Sequence, residues 1–424
     1  MSEAERLNDV LAAGWPAAAR CLSERGRALA FPRGIPFQSA QARGTRLNAT
    51  IGQVTDGAGM PMPAPSLAQL VPGLDERSCF LYSPINGHPE LRQAWRQRQL
   101  AKAGKPADEP GTNHAVTHGL TQGVSMVAQT FAGPGTDVIV SNPRWGNYDL
   151  IFGQHGARIV PFEFYDGSGF NVQGLADALA QSTGPTVVVL NLPNNPTGFT
   201  PSKEQAQQIA DLLVEHRGPA VVVFDDAYQG MTWEPGLLTD SLYWEVARRA
   251  DPQRLLPVKV DGVTKELLFF PARVGFVTTP TGGDVAAALT SKFKCVARGT
   301  VGSPPGPSQA MVLHALQQPS LDAEIASRHS VLASRYRALK RATADLRGPV
   351  AALPFNSGCF AVLAIDPSID LHGLRRALIR DHDVGVVGVS SAQVLRIAYC
   401  SVAEASLAEV VHRIDKAARS MAAG

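Results

Sequence analysis

Between about residues 110 and 310 the chain alternates short β-branched runs with stretches of helical periodicity, and this rhythm limits the folds open to it. Strands are read at His114–Thr117, Asp137–Val140, Ala157–Phe162, Thr186–Asn191, Ala220–Asp225, Pro257–Asp261 and Val274–Thr278. Helices are read between several of them, at Thr121–Phe131, Tyr148–Gln154, Val172–Ala180, Ser202–His216 and Ser241–Arg249. Parallel neighbours need a long crossover, usually a helix, so the alternation predicts an α/β domain with a mostly parallel seven-stranded sheet between helices.

The rhythm changes near Leu321. A long helix, Leu321–Leu346, precedes strands at Cys359–Ala364 and Val394–Ala398 and helices at His372–Asp381 and Ala403–Met421, which describes a smaller α+β domain. The start reads as a helical arm, Ala4–Arg25, followed by an irregular segment rich in Pro, Gly and Arg. The expected organisation is an arm that also contributes to the small domain (1–45), a large domain (46–320) and a C-terminal small domain (321–424).

Composition narrows the function classes. At 424 residues and 45% hydrophobic, the chain can bury a substantial core. Lys plus Arg number 39 against 37 Asp plus Glu, so there is no electrostatic case for nucleic acid or an anionic membrane as partner. The five cysteines (Cys21, Cys79, Cys295, Cys359, Cys400) are scattered and form no C-x-x-C pair. Neither a disulfide framework nor a metal site is expected, and a reducing compartment is. A polar, acidic start and apolar runs of strand length predict a soluble, cytoplasmic protein with no signal peptide.

Chemistry enters through an ordered set of residues. Gly119-Leu120-Thr121-Gln122-Gly123 follows the first strand and opens a helix, where backbone N–H groups and the helix dipole favour an anion. Asn194-Asn195-Pro196-Thr197-Gly198 follows an apolar strand; it reads as a turn, or as a turn that fixes an asparagine over a ligand. Asp225 closes the run Ala220–Phe224, and a carboxylate buried there needs a partner. Its neighbour Asp226 should point to the opposite side of the strand, and is expected to cap a helix or face solvent. Lys265 stands eight residues before Arg273, in Ala272-Arg273-Val274-Gly275-Phe276. A lysine amine can hold an aldehyde as a Schiff base, an aspartate can keep a pyridine nitrogen protonated, and an arginine fork suits a phosphate. Together these describe a site for pyridoxal 5'-phosphate.

In these motifs and in their order, nearly the whole chain resembles the fold-type I pyridoxal-phosphate enzymes, most closely the class I aminotransferases of the aspartate/aromatic kind. The resemblance implies that Lys265 is the Schiff-base lysine, that Asp225 pairs with the pyridine nitrogen, and that Asn195 and Tyr228 bind the phenolic oxygen. It gives the phosphate to Arg273 and the Gly119-Leu120-Thr121 turn, and ring stacking to Trp145 in Pro143-Arg144-Trp145-Gly146-Asn147. Tyr82, in Tyr82-Ser83-Pro84-Ile85-Asn86-Gly87, resembles the tyrosine that reaches the phosphate of the partner subunit, which implies a homodimer with shared sites. Arg396 in Leu395-Arg396-Ile397-Ala398 matches the arginine that grips the substrate α-carboxylate. Asn48-Ala49-Thr50-Ile51-Gly52 resembles the segment that closes over substrate and brings Gly52 to it. Trp145 and Asn195 are expected to touch substrate as well.

Two positions depart from the pattern or leave it open. The family often carries a phosphate-binding serine three residues before the lysine, where this chain has Gly262; Thr264 is the nearest substitute. Arg298, six residues before Pro304-Pro305, stands at a distance matching the arginine that binds a distal carboxylate across the dimer, with Lys294 as a rival cation and a plain surface arginine as the alternative. The expected reaction moves an amino group from an acidic or aromatic L-amino acid to a 2-oxo acid. Another enzyme of the same fold (a β-lyase, decarboxylase, racemase or cyclising synthase) would keep the same cofactor set. A pyridoxal-phosphate-sensing regulator would need a DNA-binding region that the first 45 or so residues do not resemble.

Overall fold

In a computed structural model, which describes residues 1–30 and 73–422, the expected alternation folds into one seven-stranded sheet. Its strands are β1 (Thr112–His118), β2 (Asp137–Asn142), β3 (Arg158–Glu163), β4 (Thr186–Leu190), β5 (Ala220–Asp225), β6 (Leu255–Gly262) and β7 (Val274–Thr279). They lie in the order β1-β7-β6-β5-β4-β2-β3. Every neighbouring pair is parallel except the two made by β7, which runs antiparallel to both β1 and β6. The seven strands match the sequence reading to within a few residues at each end.

Alternation along the central strands sends side chains into two separate cores. Val221 and Val223 of β5, with Val258 and Val260 of β6, pack on one face with Val124, Val127 and Phe131 of the helix Gly119–Phe131. Val222 and Phe224 pack on the other face with Ile209 and Leu213 of the helix Lys203–Glu215 and with Tyr243. Successive residues at the C-terminal ends of β5 and β6 therefore point to opposite faces of the sheet, at the edge where open parallel sheets bind ligands.

The arm is not one helix. It is Glu3–Gly14, Pro16–Cys21 and Glu24–Ala28. Trp15, forced out of the helical region by the proline that follows it (φ −148°, ψ 76°), donates its indole N–H to the Leu255 carbonyl at 2.7 Å. Leu7, Leu11 and Ala18 join the core under the large sheet, and the buried Lys292 donates to the carbonyls of Gly26 and Leu29.

The C-terminal third forms an antiparallel sheet of β8 (Val350–Ala352), β9 (Ala361–Ile365), β10 (Val387–Val389) and β11 (Val394–Ile397), in the order β8-β9-β11-β10. Helices Leu321–Thr343, Leu371–His382 and Leu407–Ala422 cover it, with Leu363, Leu374, Leu395 and Ile414 in the core. Sequence reading misses β8 and β10. Each has three residues, too few to show a period of two. Among the described residues no helix is long and apolar enough to cross a membrane.

Candidate active site

One cavity at the C-terminal edge of the large sheet is lined by Leu120, Thr121, Trp145, Tyr148, Asn191, Asn195, Asp225, Ala227, Tyr228, Thr264, Lys265 and Arg273. Most of the residues singled out by sequence thus meet in one place, although they come from six separate segments. Asp225 ends β5 and is fully buried. The Tyr148 hydroxyl donates to its Oδ2 at 2.5 Å, and the Ala227 N–H approaches its Oδ1 at 3.3 Å. Burial pushes the Asp225 carboxyl up, against the Tyr148 hydrogen bond and the Lys265 charge, which act to keep it ionised. Asn191 braces this end of the sheet, donating to the Asp225 carbonyl at 2.8 Å while its own carbonyl accepts the Asn195 N–H at 2.8 Å.

Lys265 sits in the short helical turn Val263–Glu266 that leaves β6, its Nζ 5.1 Å from the centre of the Tyr228 ring. Desolvation lowers its pKa and the Asp225 charge opposes the shift, so its amine is more readily neutral than a surface lysine's. The turn is clamped from behind. Glu266 points away from the cavity and is buried, held by Lys102 at 2.7 Å, by Gln99 at 3.0 Å and by Arg98 at 3.6 Å. Sequence reading missed this clamp, because its partners lie more than 160 residues away.

Arg273 adopts a left-handed backbone (φ 52°) that turns its guanidinium back on the helix Gly119–Phe131. A Cβ at Gly119 would lie 2.4 Å from Arg273 Nη2, and one at Gly275 would lie 2.7 Å from the Gly119 carbonyl carbon. Only glycine lets the helix start, the strand and the arginine converge here. The helix has no side-chain cap at its N-terminus, which leaves its first N–H groups available to an anion. The Gly262 departure is structural: a Cβ there would meet the Val274 carbonyl oxygen at 2.6 Å, so this backbone excludes serine.

Arg396 on β11 lies at the mouth. Its Nη1 donates to Asn195 Oδ1 at 3.0 Å, and its guanidinium stacks over the Phe360 ring at 4.3 Å. With Trp145, Arg144, Pro196, Val387 and Val389 it lines a second hollow that adjoins the first. Three expectations fall elsewhere. Tyr82 is 73% exposed and Arg298 is exposed at the end of the helix Gly283–Thr300; neither lines this cavity within its own chain. Gly52 and the Asn48–Gly52 segment lie outside the described residues.

Asp226 corrects the sequence reading. It points away from Asp225 as expected, but it neither caps a helix nor faces solvent. It is buried and paired with Lys259 at 2.8 Å, while Ser241 donates to it at 2.6 Å. Lys259 also pairs with Asp261 at 2.7 Å and donates to Gln229, and Trp95 donates to Asp261 at 3.0 Å. Lys259 lies in an apolar strand, and only the register Phe224↔Lys259 across β5 and β6 brings it to Asp226. Tyr148, which the sequence reading places at the start of a helix, is the hydroxyl partner of Asp225.

Residues 46–414 match the family Aminotransferase class I and II, and the chain belongs to that family. It is 24% identical over 310 residues to the mitochondrial aspartate aminotransferase of Schizosaccharomyces pombe, covering 71% of this chain and 69% of that protein. Among solved structures it is similar to an aminotransferase from Anaerococcus prevotii (TM-score 0.71, 19% identity, 90% of this chain and 94% of that one). It is also similar to the alpha-aminoadipate aminotransferase of Thermus thermophilus, solved with N-(5'-phosphopyridoxyl)-L-leucine (TM-score 0.69, 21% identity, 85% and 91%). The protein is therefore a transferase with the aspartate aminotransferase-like fold, its cofactor is pyridoxal 5'-phosphate and its reaction is transamination. The lyase, decarboxylase, racemase and synthase alternatives gain no support.

The cavity fits that cofactor on features of its own. Thr264 Oγ1 is buried in the cavity wall with no hydrogen-bond partner among the described residues, a hydroxyl waiting for an acceptor. The close approach of Gly119, Gly275 and Arg273 sets a guanidinium beside an uncapped helix start, which suits an anion, and the buried carboxylate of Asp225 suits a cationic ring nitrogen.

Proposed function

We propose that Lys265 is the residue to which the cofactor is attached and the base that moves the substrate proton. One observation carries this reading: Lys265 and Asp225 face one cavity from adjacent strand ends, with Lys265 shifted by burial toward the neutral amine. When bound, pyridoxal 5'-phosphate supplies an aldehyde for attachment and a ring that withdraws electron density from the substrate α-carbon. Lys265 Nζ would then be the base that takes the proton from that carbon and holds it for return. Asp225, whose ionised form the Tyr148 hydroxyl favours against burial, would hold the ring nitrogen protonated. Asn195 and Tyr228 hold the ring's phenolic oxygen and Trp145 stacks on the ring. Arg273, Thr264 and the N–H groups of Gly119, Leu120 and Thr121 hold the phosphate. Arg396, fixed between Asn195 and Phe360, orients the substrate carboxylate so that the α-carbon hydrogen lies over Lys265.

The substrates of this reading are an acidic or aromatic L-amino acid and a 2-oxo acid. Tyr82 and Arg298, both exposed on their own chain, complete the site of a partner copy: Tyr82 at the phosphate and Arg298 at a distal carboxylate. The working unit is thus a homodimer, independent of nucleic acid and membrane. Five cysteines, none in a disulfide, support placement in the cytoplasm. A screen of amino acids against 2-oxoglutarate, run with wild type and Arg298→Ala, tests the specificity. Loss of acidic donors in the variant supports it; an unchanged preference removes Arg298 from the site. Borohydride reduction followed by peptide mapping tests the attachment, and a label on any amine other than Lys265 overturns it.

A further inference from the structure

We propose that Asp149 sets the substrate class of the site. By filling the fork of Arg144, it leaves the hollow beyond Arg396 with no free cation of its own chain for a second carboxylate, so the hollow takes an aromatic or other bulky neutral side chain. This deepens the reading above and rests on Arg396 holding the substrate α-carboxylate.

The hollow shares Trp145 and Asn195 with the cofactor cavity, which places it where the rest of a substrate would extend. Trp145 and Pro196, from the loops after β2 and β4, and Val387 and Val389 of β10 give it apolar walls. Among the described residues its charged side chains are Arg144, Asp149 and Arg396. The two arginines differ in what they have left to donate. Arg396 donates through Nη1 to Asn195, while its Nε is buried with no hydrogen-bond partner among the described residues. Arg144 has its fork occupied. Its Nε donates to Asp149 Oδ1 at 3.0 Å, and its Nη2 donates to Oδ1 at 2.8 Å and to Oδ2 at 3.0 Å. Its Nη1 donates to the Ser141 carbonyl at 3.4 Å.

Local structure makes this pair. Arg144 stands in the loop leaving β2, and Asp149 stands five residues on, in the first turn of the helix Asn147–Gly153. The bidentate form is the strong form of an arginine–carboxylate contact, and the Arg144 side chain is only 15% exposed, so its guanidinium is held in place. With two cations and one anion, the lining carries one surplus positive charge, which the α-carboxylate on Arg396 cancels. A distal carboxylate would then add an uncompensated charge, or take Arg144 and leave Asp149 without its cation. A neutral side chain meets neither cost. An aromatic ring also gains from the apolar walls and from the flat face of the guanidinium. Acidic donors therefore depend on Arg298 supplied by a partner copy, and aromatic donors on residues of one chain.

The test measures how tightly the holoenzyme binds succinate and 3-phenylpropionate, read as a change in cofactor absorbance, with Arg298→Ala as the background. Both ligands carry a carboxylate for Arg396 and lack an amino group, so binding is read without turnover. In that background 3-phenylpropionate is expected to bind the tighter by about tenfold or more. Adding Asp149→Asn frees Arg144 and should tighten succinate by about tenfold, with 3-phenylpropionate within about threefold of its former value. Arg144→Gln added to that variant should abolish the gain, and Asp149→Glu, which keeps a carboxylate, should retain the original preference. A preference for succinate before Asp149 is changed, a ratio that Asp149→Asn leaves unaltered, or a gain that survives the loss of Arg144 overturns the proposal. Failure of the reading beneath it shows differently: Arg396→Lys, expected to weaken both ligands alike, would then leave both at wild-type affinity.

Discussion

Asp225 and Asp226 are adjacent in sequence, both buried, and placed on opposite faces of the same sheet edge, yet their surroundings differ in kind. On the face of Asp226, charge is saturated. Lys259 is shared between Asp226 and Asp261, and Ser241, Gln229 and Trp95 fill the remaining positions. On the face of Asp225, bonding capacity is left over. Asp225 holds one hydroxyl and one long backbone contact, Lys265 has a ring beside it, and Thr264 Oγ1 has no partner among the described residues. A buried charge costs several kcal/mol unless it is paired. A network that satisfies itself is therefore structural, and one left incomplete around a cavity is completed by a ligand. The same test separates the buried Lys259 from the half-buried Lys265, six positions apart.

The contrast can be broken from either side. Lys265→Ala should lower transamination by about 10³-fold or more while the thermal midpoint stays within a few degrees of wild type; turnover within about tenfold of wild type would undo its assignment. Lys259→Met leaves two carboxylates facing each other without their cation. Urea unfolding should show a loss of about 3–5 kcal/mol, with much of it recovered by adding Asp226→Asn and Asp261→Asn. A variant of full stability would mean that the network is not structural.

Smaller effects sharpen the comparison. Tyr148→Phe removes a hydrogen bond to a carboxylate, worth about 2 kcal/mol, and should lower kcat/KM some tenfold or more. Because that bond favours the ionised form of Asp225, its loss should also move the acid limb of the pH–rate profile to higher pH. A purely packing role would leave that limb in place.

His114, a buried group whose ring nitrogens are both satisfied, is held between Thr290 and Thr279, and burial lowers its pKa to about 3. Below pH 6.5 the unfolded chain binds a proton that the folded protein refuses, so this stability is lost as pH falls from 6.5 toward 3. By about pH 5 the loss is about 2 kcal/mol. His114→Gln should flatten the dependence of the urea midpoint between about pH 7 and pH 5, and an unchanged slope would assign it to other groups. Least of all, Thr264→Val should weaken cofactor binding by about 1 kcal/mol, several-fold in the dissociation constant measured by equilibrium dialysis.

Much of the architecture was legible in the order of residues. The seven strands of the large sheet came from runs of β-branched residues, because a strand buried on both faces must be apolar along its length. Most residues of the proposed cofactor set were also named from local strings, since glycine at a tight approach, an aspartate closing an apolar run and an arginine beside a glycine each carry a local reason. The breaks in the arm at Trp15 and Leu22, and the strands Val350–Ala352 and Val387–Val389, escaped because short elements show little period.

What the chain order determined, then, was the seven strands of the large sheet, the cofactor chemistry and the opposite facing of Asp225 and Asp226, all consequences of local periodicity and residue type. Tertiary structure alone decided which charges would be satisfied. It set Lys259 across from Asp226, clamped Glu266 behind Lys265, delivered the Tyr148 hydroxyl to Asp225 and left Thr264 open to the cavity. Those pairings join groups far apart in the chain or on different strands, and their strength depends on how completely water is removed from around them. Burial of that kind is a property of the packed molecule, and no stretch of sequence carries it alone.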